Sequence, residues 1–68
     1  MSQLATTPGR TVAPRELQQR VRALVDRVGV VQASKQLGLS RMSTASIVAG
    51  LTVRPGTLLM AEARAPRA

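Results

Sequence analysis

The chain has no cysteine, no histidine and no aromatic residue, and it carries only three acids. Each absence removes a class of chemistry. Without cysteine there are no disulfides and no thiolate metal sites. Without histidine most acid–base catalysis near neutral pH is gone, and Glu16, Asp26 and Glu62 are the only carboxylates left. The expectation is a protein that is not an enzyme, holds no metal or cofactor and takes no small-molecule ligand. Without Phe, Tyr or Trp the core must come from Leu, Val, Ile, Met and Ala, which bury less area each than aromatics do. No apolar run approaches the roughly 20 residues of a membrane span. The opening stretch MSQLATTPGRTVAP has no apolar segment of signal-peptide type. The reading is therefore bacterial cytoplasm or nucleoid, with no membrane partner.

What is present points one way. The 68 residues suit one small domain, and 44% of them are hydrophobic, which is enough for a core. A domain of this size is marginal alone, so self-association is a natural remedy. Ten basic residues against three acids give a net charge of +7. So strong an imbalance on so short a chain implies a polyanionic partner, nucleic acid or an acidic membrane surface. The plain alternative is a coding bias toward arginine, which outnumbers lysine nine to one.

Residues 1–13 are rich in Thr, Ser, Gly and Pro, without periodicity, and read as a flexible arm. Arg10 in that arm either reaches a DNA minor groove or belongs to a terminus with no role. Pro14 suits the first turn of a helix. From Arg15 to Val28 the apolar residues Leu17, Val21, Leu24, Val25 and Val28 fall on one helical face, with Arg20, Arg22 and Arg27 on the solvent side. Glu16 stands one turn before Arg20, a favourable surface pair. Gly29 stops this helix. The segment Val30 to Leu51, VVQASKQLGLSRMSTASIVAGL, then reads as two short helices broken by a glycine. In the first, Val31 and Leu37 are apolar, and Ala33 and Ser34 are small. Gly38 supplies the positive φ of a tight corner, Leu39 drops between the helices, and Ser40 caps the second helix. That helix buries Thr44, Ile47, Val48 and Leu51 on one face and turns Arg41, Met42, Ser43, Ala45, Ser46 and Ala49 outward. A linker over 52–56 leads to a last helix from about Thr57, or from Pro55, to Ala65. Residues 66–68 read as a frayed tail. The fold class is all-α: a compact four-helix domain over 14–65 with a central helix-turn-helix and a flexible N-terminal arm.

These residues resemble the helix-turn-helix of the phage-repressor and Cro-like family. In that motif a small residue precedes the turn glycine by four places, an apolar residue follows it, and further apolar positions come six and nine places after it. Ser34, Gly38, Leu39, Thr44 and Ile47 occupy those places. Two positions depart from the pattern: Ser34 stands where alanine is usual, and Thr44 where valine or isoleucine is usual. Ala49-Gly50-Leu51 followed by Pro55 is similar to the family's approach to its next helix. The resemblance covers roughly residues 15–65.

The resemblance implies a recognition helix in the major groove, with its N-terminal residues at base edges. Arg41 is the leading candidate: a guanidinium bonds two acceptors on guanine, although gripping phosphate is the commoner use of such a group. Met42 and Ala45 are candidates for thymine methyls, and Ser43 and Ser46 for bases or phosphates. Gln32, Lys35, Ser40 and Arg54 are the candidate backbone contacts. Leu58, Met60 and Ala61 are candidates for a homodimer surface, since one such unit touches few base pairs and a two-fold dimer reads a palindrome. The expected function is a sequence-specific double-stranded DNA-binding transcriptional regulator, a small dimeric repressor acting by occlusion. The alternative is a helix-turn-helix scaffold used as a protein-interaction module. A membrane-surface peptide is a third reading, against which stand the glycine-broken pattern and the lack of interfacial Trp or Phe.

Overall fold

Helix-forming stretches separated by single glycines or short extended segments set the order of elements. The computed structural model describes residues 10–66; residues 1–9 of the expected arm and residues 67–68 of the expected tail lie outside them. The order is β1 (Thr11–Val12), α1 (Arg15–Val28), α2 (Val30–Leu37), α3 (Arg41–Ala49), β2 (Thr52–Val53) and α4 (Pro55–Arg64). The four helices make an all-α domain.

Pro14 stands at the N-cap of α1, where a missing N–H costs no intrahelical bond. Leu17, Val21 and Leu24 bury the inner stripe of that helix. Gly29 alone joins α1 to α2, with φ 87° and ψ 159°, a region that is essentially glycine-only. Its N–H closes on the Val25 carbonyl at 2.8 Å, and its own carbonyl receives the Ala33 N–H at 2.9 Å. One residue thus ends one helix and starts the next.

The core contains Leu17, Val21, Leu24, Ala33, Leu37, Ile47, Val53 and Ala61, with Val25, Val28, Leu39, Val48 and Leu58 packed against it. Each large aliphatic side chain here contributes about 1.5–3 kcal/mol by leaving water. No aromatic is available to span gaps, so the helices meet closely at alanine, with Ala33 and Ala61 both at 0% exposure.

Several features differ from the reading of the sequence. Residues 11–13 of the expected arm belong to the fold: Thr11–Val12 pairs antiparallel with Thr52–Val53, and Ala13 is buried. Of the two starts open for the last helix, Pro55 is the one taken. Leu51, expected in the core, is 58% exposed. The helical period ends at Gly50, whose φ of 77° turns the chain; Leu51 then returns its N–H to the Ser46 carbonyl at 2.9 Å, and the next inward residue is Val53. On α4 the dimer candidates are mostly occupied. Ala61 is fully buried, which withdraws it from any partner, and Leu58 packs on the core. Met60 is half-buried and lies over Gly38, where an added Cβ would stand 2.9 Å from the Met60 methyl carbon. The apolar residue that α4 exposes is Leu59, at 72%.

Arg20 is the largest correction. It is 6% exposed, and its ion pair is with Glu62, not Glu16, at the C-terminal end of α4. Its Nη2 donates to the carbonyls of Ala65 (2.7 Å) and Glu62 (3.2 Å), its Nη1 to Glu62 Oε2 (3.1 Å) and its Nε to the Pro66 carbonyl (3.4 Å). The last carbonyls of a helix lack intrahelical donors, and this guanidinium supplies them. Pro66, expected in a frayed tail, is held by the same group. The Glu62 side chain is 51% exposed, so the ion pair is screened by solvent and contributes little; the carbonyl bonds dominate. Arg20→Ala is expected to lower stability by about 2–4 kcal/mol, because several charge-assisted bonds to carbonyls are lost together. Glu62→Gln is expected to cost less than about 1 kcal/mol. Urea unfolding of both variants checks this; equal losses would show that the carboxylate, not the carbonyl clasp, carries the contact.

Candidate nucleic-acid interface

A short helix projects a usable outer face only if its ends are closed and its inner face is locked. Both conditions hold for α3. At its start the Ser40 hydroxyl accepts the Ser43 N–H at 3.0 Å and donates to Ser43 Oγ at 3.1 Å, satisfying an otherwise orphan donor. At its end the Gly50 N–H reaches the Ile47 carbonyl and the Leu51 N–H the Ser46 carbonyl, the paired closure of a Schellman motif. The end of α2 closes identically: the Gly38 N–H bonds to the Lys35 carbonyl and the Leu39 N–H to the Ser34 carbonyl, with Gly38 at φ 72°.

The inner lock joins the two positions that depart from the Cro-like pattern. Ser34 and Thr44 are 3% and 0% exposed, with their hydroxyl oxygens 2.8 Å apart. Ser34 Oγ also lies 2.7 Å from the Val30 carbonyl, and Thr44 Oγ1 lies 3.0 Å from the Ser40 carbonyl. Each hydroxyl has one proton, so one donates across the helix pair while the other closes on a carbonyl. The two departures compensate each other. Among the described residues no buried side-chain nitrogen or oxygen lacks a partner.

With Thr44 and Ile47 turned inward, the outer face of α3 falls between two hollows. On one side Val30, Ser40, Arg41, Met42 and Ala45 line a shallow depression of about 570 Å³. On the other, Arg10, Ser40, Met42, Ser43, Ser46, Val53, Arg54 and Thr57 line one of about 280 Å³. Met42, 79% exposed, stands on the crest between them. No acid lines either hollow; Glu16 and Asp26 belong to α1, and Glu62 on α4 pairs with Arg20.

The structure therefore groups most of the expected residues. Arg41, Met42 and Ala45 are exposed together, whereas Ser43 and Ser46 are half-buried on the basic side. Ser40 is exposed but already engaged as the cap. Arg54 joins the group; Gln32 and Lys35 are exposed on α2 and line neither hollow. Val30 enters the group without having been a candidate, and Arg10, left open between a DNA contact and no role, gains a defined position. Arg10 is brought to the flank of α3 by the β1–β2 pairing, donating from Nη2 to the Thr52 carbonyl at 3.0 Å and from Nε to Thr52 Oγ1 at 3.4 Å. Val30, at the start of α2, forms one wall of the apolar hollow. The place of each beside α3 comes from tertiary packing, which local sequence does not show.

Chemically, the arrangement sets one free guanidinium and an apolar strip on a rigid helix, beside a second, doubly cationic hollow. No helix among the described residues is long and apolar enough to cross a membrane, and those residues contain no acidic cluster able to hold a metal ion. No protein-family model, curated protein or solved structure matches the chain.

The hydroxyl lock gives a direct test. Ser34→Ala and Thr44→Val each leave the surviving hydroxyl a carbonyl in its own helix, so each is expected to cost about 1 kcal/mol. The double substitution replaces both partners with apolar groups. It is expected to cost less than the sum of the two by at least about 0.5 kcal/mol, measured as a double-mutant cycle in chemical denaturation. Strict additivity would mean that the two hydroxyls act independently.

Proposed function

We propose that this chain is a sequence-specific double-stranded DNA-binding transcriptional regulator of the helix-turn-helix type, with α3 as the recognition helix. The observation that carries the reading is the face of α3: Arg41, Met42 and Ala45 exposed on a helix capped at both ends, flanked by Arg10 and Arg54 without an acid beside them. An α-helix fits the major groove, where an arginine bonds guanine O6 and N7. Arg10 and Arg54 stand where phosphates would pass on one side, and contacts of that kind set register rather than sequence. The net charge of +7 supports the same partner through counterion release. The resemblance to Cro-like repressors points to a small repressor that occludes its operator, with two copies reading a palindrome. Leu59 is the α4 side chain free to join such a pair.

The second reading, a protein-interaction module, draws on that same exposed Leu59 together with Leu51. It requires binding that depends weakly on salt and shows no preference for any duplex.

Selection of bound duplexes from a random library decides between them. Wild type is expected to enrich a palindromic site, and Arg41→Ala to relax one base position per half-site at a cost of about 1–3 kcal/mol. Arg54→Ala and Arg10→Ala are each expected to weaken binding to all duplexes alike and to lower the salt slope by about 1. No enriched site from the wild-type protein would contradict the DNA-reading proposal.

A further inference from the structure

The apolar hollow beside Arg41 carries a narrower inference, which rests on the DNA-reading proposal above. Val30, Met42 and Ala45 line it together with Ser40 and Arg41, and it is shallow and open. Val30 is 36% exposed and Met42 79%, an unusual investment of apolar surface on a face otherwise made of hydroxyls and guanidinium groups. Arg41 and Ala45 are one helical turn apart, so they stand on the same side of α3. Val30 is held in place from behind, because its carbonyl lies 2.7 Å from the buried Ser34 hydroxyl.

The major groove offers one apolar feature at base edges, the 5-methyl group of a pyrimidine. A methyl group next to a guanine fits a hollow of this chemistry: the arginine in the lining takes the guanine edge, and the apolar side chains take the neighbouring methyl. The Met42 side chain is unbranched and polarizable and adapts to an irregular wall. The arginine and the absence of any acid in the lining suit a duplex rather than an apolar peptide or an acyl chain. We infer that the Val30–Met42–Ala45 hollow is a receptor for the 5-methyl group of a pyrimidine beside the base read by Arg41, so that it distinguishes thymine from uracil and 5-methylcytosine from cytosine. In consequence, cytosine methylation at that position would tighten binding of this chain to its site.

The test uses the full chain and the duplex it enriches from a random library. Each thymine of that duplex is replaced in turn by deoxyuridine, which removes only the methyl group, and binding is followed by fluorescence anisotropy at fixed salt. One or two positions beside the Arg41-read guanine are expected to lose affinity by about fourfold per methyl group. At the same positions 5-methylcytosine is expected to bind better than cytosine by a similar factor. Met42→Ser, a change at a side chain outside the core, is expected to bind the methylated and unmethylated duplexes alike, so that both differences vanish. Indifference to deoxyuridine at every thymine of an enriched site, or a site with no thymine beside that guanine, would overturn this inference and leave the DNA-reading proposal standing. Failure to enrich any site would remove both.

Discussion

The placement of α3 depends on one buried contact, the 2.8 Å approach of the Ser34 and Thr44 hydroxyls. A pair of hydroxyls in an apolar core is costly when unmatched and directional when matched. Alanine facing valine would let the helices slide; two hydroxyls that must satisfy each other allow one register. Gly38 makes the corner that brings them together, because its left-handed φ lets α2 end and α3 begin within three residues, Gly38 to Ser40. Once that register is set, Thr44 and Ile47 face inward and Arg41, Met42 and Ala45 have no option but to face out.

The remaining elements brace this pair. α1 supplies the broad apolar stripe on which α2 and α3 rest, and Gly29 couples it to α2 without slack. The β1–β2 ribbon closes the far end, with Ala13 and Val53 buried, and draws Arg10 to the side of the outer face of α3. Arg20 pins the end of α4 to α1 through carbonyl groups, which stabilises a small core built without aromatics. Closure of helix ends by Gly29, Gly38, Ser40, Gly50 and Arg20 compensates for the limited area that such a core can bury.

Much of the fold was legible from periodicity and punctuation. The helices α1, α2 and α3, the cap at Ser40 and the turn at Gly38 follow from apolar spacing, a serine in the right place and a glycine at the break. What was not legible depends on distance in space. Arg20 looks like a surface arginine because Glu16 sits one turn away; only folding brings in the α4 carbonyls that bury it. Two-residue strands are too short to show alternation, so Thr11–Val12 passed for part of an arm. Leu51 matched a helical period that had already ended. The sequence leaves Ala61 open between core and dimer surface because α4 is apolar on more than one side; a core lacking large side chains draws that alanine inward. Of the candidate site, Arg41, Met42, Ala45 and Arg54 were visible as exposed residues on or after a short capped helix. Val30 was not, since it lies on α2, and Arg10 was open between a groove contact and no role until the β1–β2 pairing placed it.

The central claim is that α3 and its two flanking hollows form the surface that meets DNA. The most direct measurement is backbone amide chemical-shift mapping of the isotopically labelled protein during titration with a mixed-sequence DNA duplex. The account requires the perturbations to concentrate on Ser40 to Ser46, with Val30, Arg54 and Arg10 at the margins, and to fade as salt is raised. Perturbations centred on Leu59 and the exposed side of α4, or a spectrum unchanged by DNA at low salt, would contradict it.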